Sequence, residues 1–494
     1  MRRIASVASF IALIWLALLS IGATGAQAGW SGWAAPSPDG YPTIKDACTS
    51  WAWWAGDYLT YQYVTPAGQP APTGVNCINR ARTVFIIPDC NVAGEVQDAT
   101  QPSGCHPVNA EPLPKERGCA NSPKDGGNPA AGNPICLAGG NKFQAVTDFE
   151  TATPDKLGFT RYYNSGGALS QATMLGAGWR SVFDAYLDVS NPGWYAYVHR
   201  PDGQVLEMDF SYGSYTWYPP QADVDLQLTH TGSNWVLTDS DDTVWTFTQL
   251  TAQAPAAVLT SIQRRGGYTQ NLQYDASNQL ASVTDSYGRT LQFTFQNGLL
   301  STMTAPDGGV YQYLYQTSSN GGATQLVRVV KPGQSPTSPP QNYLYENASF
   351  PLALTGIVDD IGTRYATYGY EQWGRPTTTQ HLFADLNTVT FSDPDNGRTV
   401  TNPLGLQETY QFAGIQGARK VTRIDRAASG STPASFYTYS YDSRGYLSST
   451  TDWNGAVTNR SNDTRGQPLS LTTAAGTPQA RTVTYTWDAT YHLP

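Results

Sequence analysis

Charged side chains are scarce in this sequence. Asp, Glu, Lys and Arg make up only 14% of the 494 residues, and 38 acidic residues against 29 basic ones give a formal net charge of −9. No basic cluster appears after the first few residues. Nucleic-acid binding depends on clustered positive charge at the phosphates, so we do not expect a nucleic-acid partner.

Recognisable motifs for catalysis are also missing. There is no serine framed by glycines, no pair of histidines with a glutamate between them, and no phosphate-binding loop. The five histidines are scattered, and the acidic pairs Asp241-Asp242 and Asp359-Asp360 lie beside turn-like sequence. We therefore expect no enzymatic activity, no catalytic residues, and no bound cofactor or metal ion.

Helical periodicity is scarce as well, whereas Phe, Trp and Tyr together make up 12% of the residues. In one segment Tyr437, Tyr439 and Tyr441 alternate with polar residues, which would place all three rings on one face of a strand. Aromatic and β-branched residues favour strands over exposed helices. The composition therefore predicts an all-β protein.

One spacing of residues occurs twice with identical offsets. The first copy comprises Tyr274, Asp275, Asn278, Leu280, Asp285 and Gly288. The second copy comprises Tyr441, Asp442, Gly445, Leu447, Asp452 and Gly455. A third copy begins at Asn462, 21 residues after Tyr441, and a fourth begins at Trp487 and reaches half its length by Pro494. A period of this length predicts a repeat architecture, with the last unit incomplete.

Each unit has the pattern of two short strands and two turns. Gly445, and Asn278 at the same offset, suit a turn residue with positive φ. Asp285 and Asp452 precede a glycine by three residues, where a carboxylate can accept backbone N–H bonds. We interpret these aspartates as turn caps, because one carboxylate per unit is too few for a calcium site.

The units resemble the YD repeats of the RHS (rearrangement hotspot) family. A second run is similar to the domain of unknown function that commonly opens the repeat region of RHS proteins. It comprises Gly132–Ile135, Gly140–Phe143, Asp148, Phe159–Ser165, Leu175–Trp179 and Asp202-Gly203. The resemblance covers roughly residues 132 to 494. It implies a β-rich opening domain at 132–265 and an extended spiral of β-hairpin repeats, part of a hollow shell, at 266–494.

The resemblance also implies a function. RHS-type shells enclose a C-terminal toxin or effector that bacteria use in competition. The chain would then be a non-catalytic scaffold, the first part of such a container, without its closure and cargo. Its expected partner is a toxin or effector domain encoded downstream.

The N-terminus predicts secretion. Arg2 and Arg3 precede an apolar run from Ile11 to Ile21, and Ala26-Gln27-Ala28 has the small-residue pattern of a cleavage site. Residues 1–28 are therefore expected to be a signal peptide. The apolar run is shorter than the roughly 20 residues that span a bilayer, so we expect no transmembrane span in the mature chain. The expected location is periplasmic, extracellular or at the cell surface.

The cysteines lie in one segment and are even in number. They are Cys48, Cys77, Cys90, Cys105, Cys119 and Cys136. Their spacing is too wide for an ordinary zinc site, and export favours disulfides. We expect three bridges, in any of 15 pairings, to staple a proline- and glycine-rich region at 29–131.

An alternative function is a cell-surface adhesin or carbohydrate-binding protein that contacts surface glycans. Exposed aromatic rings can stack on sugars, and Trp51, Trp53 and Trp54 cluster in the sequence, while Trp194, Trp217 and Trp235 recur later. Aromatic residues in strands more often pack in a core or across strands. The tryptophans are therefore weak candidates for glycan contacts.

Overall fold

The computed structural model describes most of the chain from residue 113 onward. The described ranges are 113–119, 128–166, 173–214, 216–251, 254–319, 323–337, 339, 341–382, 385–392, 397–430 and 432–494, with the backbone of six short strands before them. Two compact units divide between Val108 and Asn109. The predicted signal peptide lies outside the described residues.

The described part of the first unit consists of short antiparallel strands. Their bounds are β1 Gly29–Ser31, β2 Thr60–Val64, β3 Gly74–Ile78, β4 Thr83–Asp89, β5 Val96–Gln97 and β6 Cys105–His106. Four of them form a sheet in the order β1-β4-β3-β2, and β5 pairs with β6.

The second unit begins with a 3₁₀ turn, Pro114–Cys119, followed by a five-stranded antiparallel sheet. The strands are β7 Ala130–Ala131, β8 Ile135–Cys136, β9 Asn141–Glu150, β10 Gly158–Asn164 and β11 Trp179–Ser181. Their order is β11-β10-β9-β8-β7, so each strand lies beside its neighbours in sequence. Buried and half-buried residues alternate along β10, which is typical of a strand with one face on a core.

A 14-stranded antiparallel sheet follows, in strict sequence order. Its strands are β12 Tyr186–Asp188, β13 Tyr195–His199, β14 Val205–Ser211, β15 Thr216–Tyr218, β16 Gln227–Thr231, β17 Asn234–Thr238, β18 Val244–Thr248, β19 Ala256–Gln263, β20 Thr269–Tyr274, β21 Leu280–Asp285, β22 Thr290–Gln296, β23 Leu299–Thr304, β24 Val310–Thr317 and β25 Thr324–Val330. β12 also pairs with β19, so the first eight strands close into a ring. Strands β20 to β25 continue from β19 as a ribbon of hairpins.

The last sheet has 13 antiparallel strands, again in sequence order. They are β26 Tyr343–Leu344, β27 Gly356–Val358, β28 Arg364–Tyr370, β29 Pro376–His381, β30 Asn387–Ser392, β31 Gly397–Thr401, β32 Gln407–Ile415, β33 Ala418–Arg426, β34 Ser435–Tyr441, β35 Leu447–Thr451, β36 Val457–Asn462, β37 Pro468–Thr473 and β38 Arg481–Thr484. The all-β prediction is thereby confirmed for the described residues, with the 3₁₀ turn as the exception.

The main hydrophobic core is continuous from the five-stranded sheet through the ring into the start of the 13-stranded sheet. Inside the ring, apolar residues at alternate strand positions are buried, such as Val198, Met208, Leu237 and Leu259. A second cluster joins Ile135 and Leu137 to residues of the last sheet. The five-stranded sheet therefore packs against both large sheets, because its apolar residues contribute to both cores.

Candidate functional site: the repeat ladder and the buried charged contacts

The repeated aspartates lie at hairpin turns and bind backbone N–H groups. In each of four turns, one carboxylate oxygen accepts bonds of 2.8–3.0 Å from the N–H groups two and four residues further on. The four residues are Asp275, Asp285, Asp442 and Asp452. The carboxylate thus satisfies two backbone donors that the short loop cannot pair by itself.

The residue three positions after each aspartate has positive φ. The φ angle is 61° at Asn278, 78° at Gly288, 87° at Gly445 and 82° at Gly455. Three-residue hairpin loops need such a left-handed residue at their last position, and glycine and asparagine adopt it at the lowest cost. The glycine of the repeat is therefore required by the backbone of the turn.

The tyrosine of the repeat follows a β-bulge. The strand register shifts immediately before Tyr274, Tyr315, Tyr370 and Tyr441, and also before Phe295. After each shift, the aromatic residue pairs with one residue of the next strand, for example Tyr274 with Leu280 and Tyr441 with Leu447. The tyrosine and the leucine of the repeat are thus cross-strand partners at a bulge.

A series of side chains, most of them at this position, links a hairpin to the one before it. Five tyrosine hydroxyls donate to a backbone carbonyl 15 to 20 residues earlier in the chain: Tyr274 to Leu259, Tyr315 to Leu300, Tyr345 to Leu326, Tyr370 to Leu354 and Tyr441 to Val421, at 2.6–2.9 Å. The amide of Asn462 and the indole of Trp487 do the same, to Leu447 and Pro468. We call this series the repeat ladder.

The acceptor in the ladder follows a rule. Leu300 pairs with Phe295, and Val421 pairs with Phe412, each at the bulge of the preceding hairpin. Each aromatic residue at a bulge thus has a cross-strand partner, and the carbonyl of that partner accepts the hydrogen bond from the ladder tyrosine of the next hairpin. By this rule the carbonyl of Leu280 would accept a hydrogen bond from the side chain of residue 295. That residue is phenylalanine, which has no hydroxyl to donate.

Removing and adding ladder hydroxyls is expected to have opposite effects. Tyr441→Phe should lower the free energy of unfolding by about 1 kcal/mol, because the Val421 carbonyl loses its donor. Phe295→Tyr should raise it by up to about 1 kcal/mol, because the new hydroxyl is directed towards Leu280. Urea denaturation followed by tryptophan fluorescence measures both. Tyr439→Phe, on the same strand outside the ladder, is the control, and equal effects at 439 and 441 would contradict the ladder.

A buried charged cluster connects the five-stranded sheet to both large sheets. Arg161 in β10 donates to both carboxylate oxygens of Asp148 in β9, at 2.6 and 2.7 Å. Arg161 also donates to the hydroxyl of Tyr343 at 3.0 Å, and the Tyr313 hydroxyl donates to Asp148 at 2.9 Å. These four residues form what we call the junction cluster. Tyr313 lies in the 14-stranded sheet and Tyr343 in the 13-stranded sheet, so one ion pair joins three sheets.

Arg161 of the junction cluster stays charged although it is buried. Arg161 is 1% exposed, and its guanidinium lies 4.9 Å from the ring centre of Trp179. Burial alone would lower the pKa of Arg161, but the charge of Asp148 outweighs it and the pKa is raised well above its ordinary value. Burial raises the pKa of Tyr313 and of Tyr343, so both phenols remain neutral donors or acceptors. The cluster is a structural contact with every charge paired.

Lys142 is buried and has no carboxylate partner among the described residues. Its ammonium donates to the carbonyls of Asn133 and Phe143 and to the side chain of Gln144, at 2.5–3.0 Å, and lies 4.2 Å from the ring centre of Tyr368. Burial lowers the pKa of Lys142 well below its ordinary value. All three ammonium protons have acceptors, so Lys142 joins β9 to the loop after β7.

A second set of buried ion pairs lies where the 3₁₀ turn meets the last sheet. Glu116 accepts from Arg419 of β33 through both carboxylate oxygens, with the shortest side-chain bond at 2.8 Å. Cys119 is joined by a disulfide to Cys136 of β8, with a Cα–Cα distance of 5.3 Å. The 3₁₀ turn is therefore held covalently at one end and by an ion pair within it.

Asp223, in the loop between β15 and β16, is completely buried between two lysines. One carboxylate oxygen pairs with Lys115, and the other pairs with Lys420 of β33 at 2.6 Å. The same loop donates from the Ala222 N–H to the side chain of Gln416 at 3.0 Å. We call the contacts made by Glu116 and Asp223 the ionic seam. It joins an early loop of the second unit to a strand about 200 residues later.

The cysteines and tryptophans named from the sequence lie partly outside the described residues. Cys48, Cys77, Cys90 and Cys105 lie outside the residues whose side chains are described, so one of the three expected bridges is shown. Trp51, Trp53 and Trp54 also lie outside. Trp194 is more than half exposed, Trp217 is half-buried, and Trp235 is buried in the ring. The structure therefore does not bring the predicted tryptophans together into one exposed surface within its described part.

Within the described ranges, no three His, Cys, Asp or Glu side chains are grouped so that they could hold a metal ion. The same ranges contain no helix with the length and apolar character needed to cross a bilayer.

Comparison with known proteins gives one family model. Residues 132–208 match "Domain of unknown function (DUF6531)". The match begins at Gly132, where the resemblance to the RHS-associated opening domain also begins, and it contains Asp148 and Arg161 of the junction cluster. No curated protein is similar in sequence to the chain.

Solved structures with similar chains are distant. One is TcdB2-TccC3 without its hypervariable C-terminal region, 11% identical with a TM-score of 0.30, covering 70% of this chain and 22% of that chain. Another is the Photorhabdus luminescens Tc holotoxin pore, which is 10% identical with a TM-score of 0.23, covering 71% of this chain and 20% of that chain. A third is the N-terminal domain of effector protein SpvB from Salmonella typhimurium, which is 13% identical with a TM-score of 0.20, covering 69% of this chain and 99% of that chain. The chain therefore spans about a fifth of the length of the first two.

Sequence reasoning found the turn residues but missed the charged contacts. Asp148 and Arg161 entered only as part of a family resemblance, and Glu116, Asp223 and Lys420 were not singled out. The available signal was an arginine between Phe159 and Tyr163 on the buried face of a strand. A charged residue at such a position requires a buried partner.

Proposed function

We propose that residues 132–494 form the first part of the wall of an RHS-type container, a non-catalytic scaffold for a C-terminal toxin or effector used in bacterial competition. The observation that carries this proposal is the repeat ladder. One hairpin unit, with the same turn and the same tyrosine contact, recurs along the ribbon and into the last sheet. A wall built from a single repeated unit needs no catalytic site to enclose a cargo.

Contacts of the last sheet support a spiral course for this wall. Lys420 reaches Asp223, 197 residues earlier, and Gln416 receives the N–H of Ala222 in the same early loop. Gly417 also lies beside Gln221. Later strands thus come back to lie beside an earlier loop, as successive turns of a spiral do. The ionic seam would hold one turn against the next.

The genomic sequence beyond the Pro494 codon tests the proposal. We expect the reading frame to continue with units of about 21 residues that carry the tyrosine and aspartate spacing, and then to enter a domain unrelated to them. The product of this extended frame should be a hollow particle by electron cryomicroscopy. A frame that closes directly after Pro494, or a particle without an internal cavity, would count against a container.

We also propose that the protein is exported and that the mature chain begins at Gly29. The supporting features are the apolar run from Ile11 to Ile21 and the site at Ala26-Gln27-Ala28. Mass spectrometry of protein recovered from the medium, the periplasm and the cell surface would show this N-terminus. An unprocessed Met1 chain confined to the cytoplasm would overturn export while leaving the wall proposal untouched.

A further inference from the structure

His492 lies between two carboxylates of the eight-stranded ring. Its Nδ1 atom is 2.5 Å from Asp242 Oδ1, and its Nε2 atom is 2.7 Å from Asp225 Oδ2. The backbone N–H of His492 donates to the other oxygen of Asp242 at 2.9 Å. The imidazole is 11% exposed. Residues 250 and 267 positions apart in sequence thus meet at one side chain.

The two carboxylate contacts call for a hydrogen-bond donor at each nitrogen of the imidazole. An ionised carboxylate can only accept hydrogen bonds, whereas a neutral imidazole has one donor and one acceptor nitrogen. Both nitrogens of His492 can donate at once only in the imidazolium form. We propose that His492 is a proton-dependent latch, which holds the turn at Asp488–Leu493 on the ring when the imidazole is protonated and releases it when the proton is lost.

Several charged groups surround this contact. Asp242 lies in the turn between β17 and β18 and also pairs with Arg265, from the turn between β19 and β20, at 3.0 Å. Asp225 precedes β16. On the side of the latch itself, the Asp488 carboxylate binds the N–H groups of Thr490 and Tyr491. Arg465 of the preceding turn donates to the Asp488 carbonyl.

The sign of the pH dependence follows from these groups. Partial burial opposes ionisation of Asp242, but hydrogen bonds from His492 and Arg265 prevail and lower the pKa of its carboxyl. The stabilisation that Asp242 gives to the contact is therefore present at pH values above the ordinary pKa of an aspartate. It is lost only when stronger acid protonates the carboxylate. The imidazolium contribution has the opposite sign, because it is present while both ring nitrogens carry protons and is lost when rising pH removes one of them. The latch is thus closed at lower pH and open at higher pH.

The repeat pattern sets this position apart. His492 follows Trp487 by five residues, the offset at which Tyr446 follows Tyr441 and Gln467 follows Asn462. Tyr446 and Gln467 are both buried, so the unit places this side chain in a contact in each of these copies. A glutamine is not titratable and a tyrosine ionises only in strong alkali. The histidine therefore makes the contact of this copy one that gain or loss of a proton can change.

Hydrogen–deuterium exchange of the full chain tests the latch. After correction for the intrinsic exchange rate, protection of a peptide covering 485–494 should fall by about tenfold or more between pH 6 and pH 8.5, because one charge-assisted hydrogen bond is lost. His492→Gln, the residue of the preceding copy, should abolish this dependence. His381→Gln is the matched control, because His381 faces the exposed carboxylate of Asp385, and it should leave exchange in 485–494 unchanged.

Selective ¹⁵N labelling of histidine supplies a second readout. We expect the signals of the His492 ring, assigned by their loss in His492→Gln, to show protons on both nitrogens at pH 6. Equal protection of residues 485–494 at pH 6 and pH 8.5 would overturn the latch, as would a pH dependence that survives in His492→Gln. The contact lies at the end of the last sheet, so the variant is expected to retain the fold.

Discussion

Asp148→Asn is expected to lower the free energy of unfolding of the second unit by about 3–5 kcal/mol. The substitution leaves the guanidinium of Arg161 without its carboxylate at a position that is 1% exposed. It also weakens the bond from Tyr313, which joins the cluster to the 14-stranded sheet. Trp179, 4.9 Å from the guanidinium, makes tryptophan fluorescence during urea denaturation a suitable measurement.

The control for this result is an ion pair of the same type at the surface. Asp360 pairs with Lys331 at 2.7 Å, and both side chains are about half exposed. Asp360→Asn should change stability by less than about 1 kcal/mol. The double variant Asp148→Leu with Arg161→Met should recover part of the loss, because no unpaired charge remains. Equal losses at 148 and 360 would show that the junction cluster is not a buried ion pair.

Glu116→Gln is expected to have the second large effect, about 3–5 kcal/mol. Arg419 is 4% exposed at its side chain, and Glu116 supplies both carboxylate oxygens to it. The loss should appear first in the last sheet, because Arg419 belongs to β33. Hydrogen–deuterium exchange of peptides covering 418–426 and 139–150 separates local opening of β33 from global unfolding.

Glu150→Gln provides the matched comparison for Glu116. Glu150 pairs with Lys156, but both side chains are largely solvated, at 43% and 50% exposure. Removing this carboxylate should leave exchange in 418–426 unchanged. If Glu116→Gln also left that segment unchanged, the ion pair would not be what holds the 3₁₀ turn to β33.

The turns could be predicted from sequence because their chemistry is local. Asp452 binds N–H groups two and four residues away, and Gly455 adopts the positive φ that the loop needs. A pattern of six residues carries all of this information. The alternation around Tyr437–Tyr441 likewise predicted β34, because the two faces of a strand differ in burial.

The charged contacts could not be predicted, because their partners are distant in sequence. Arg161 meets Tyr343 across 182 residues, and Lys420 meets Asp223 across 197. No local pattern records such pairings. Closure of the ring between β12 and β19 has the same origin, since it depends on the summed twist of eight strands. Sequence spacing identifies a hairpin, but it does not determine where a row of hairpins meets itself.

The division between the two compact units lies between Val108 and Asn109, within the region that the sequence describes as proline- and glycine-rich. Residues 113–119 belong to the second unit because Cys119 is bonded to Cys136 and Glu116 is paired with Arg419. Composition describes what a segment is made of, whereas these two long-range bonds decide which unit it joins.

The repeat ladder has a consequence for how such a chain can change in length. Each link joins a hairpin only to the one before it, so duplication of a whole unit would bring its own turn, bulge and donor and would leave the other ladder links intact. A single residue inserted within a strand would instead move the later side chains of that strand to the opposite face, unless a further bulge absorbed it. Gains and losses in this architecture are therefore tolerated in whole hairpins, while Phe295 shows that one missing hydroxyl remains a local defect.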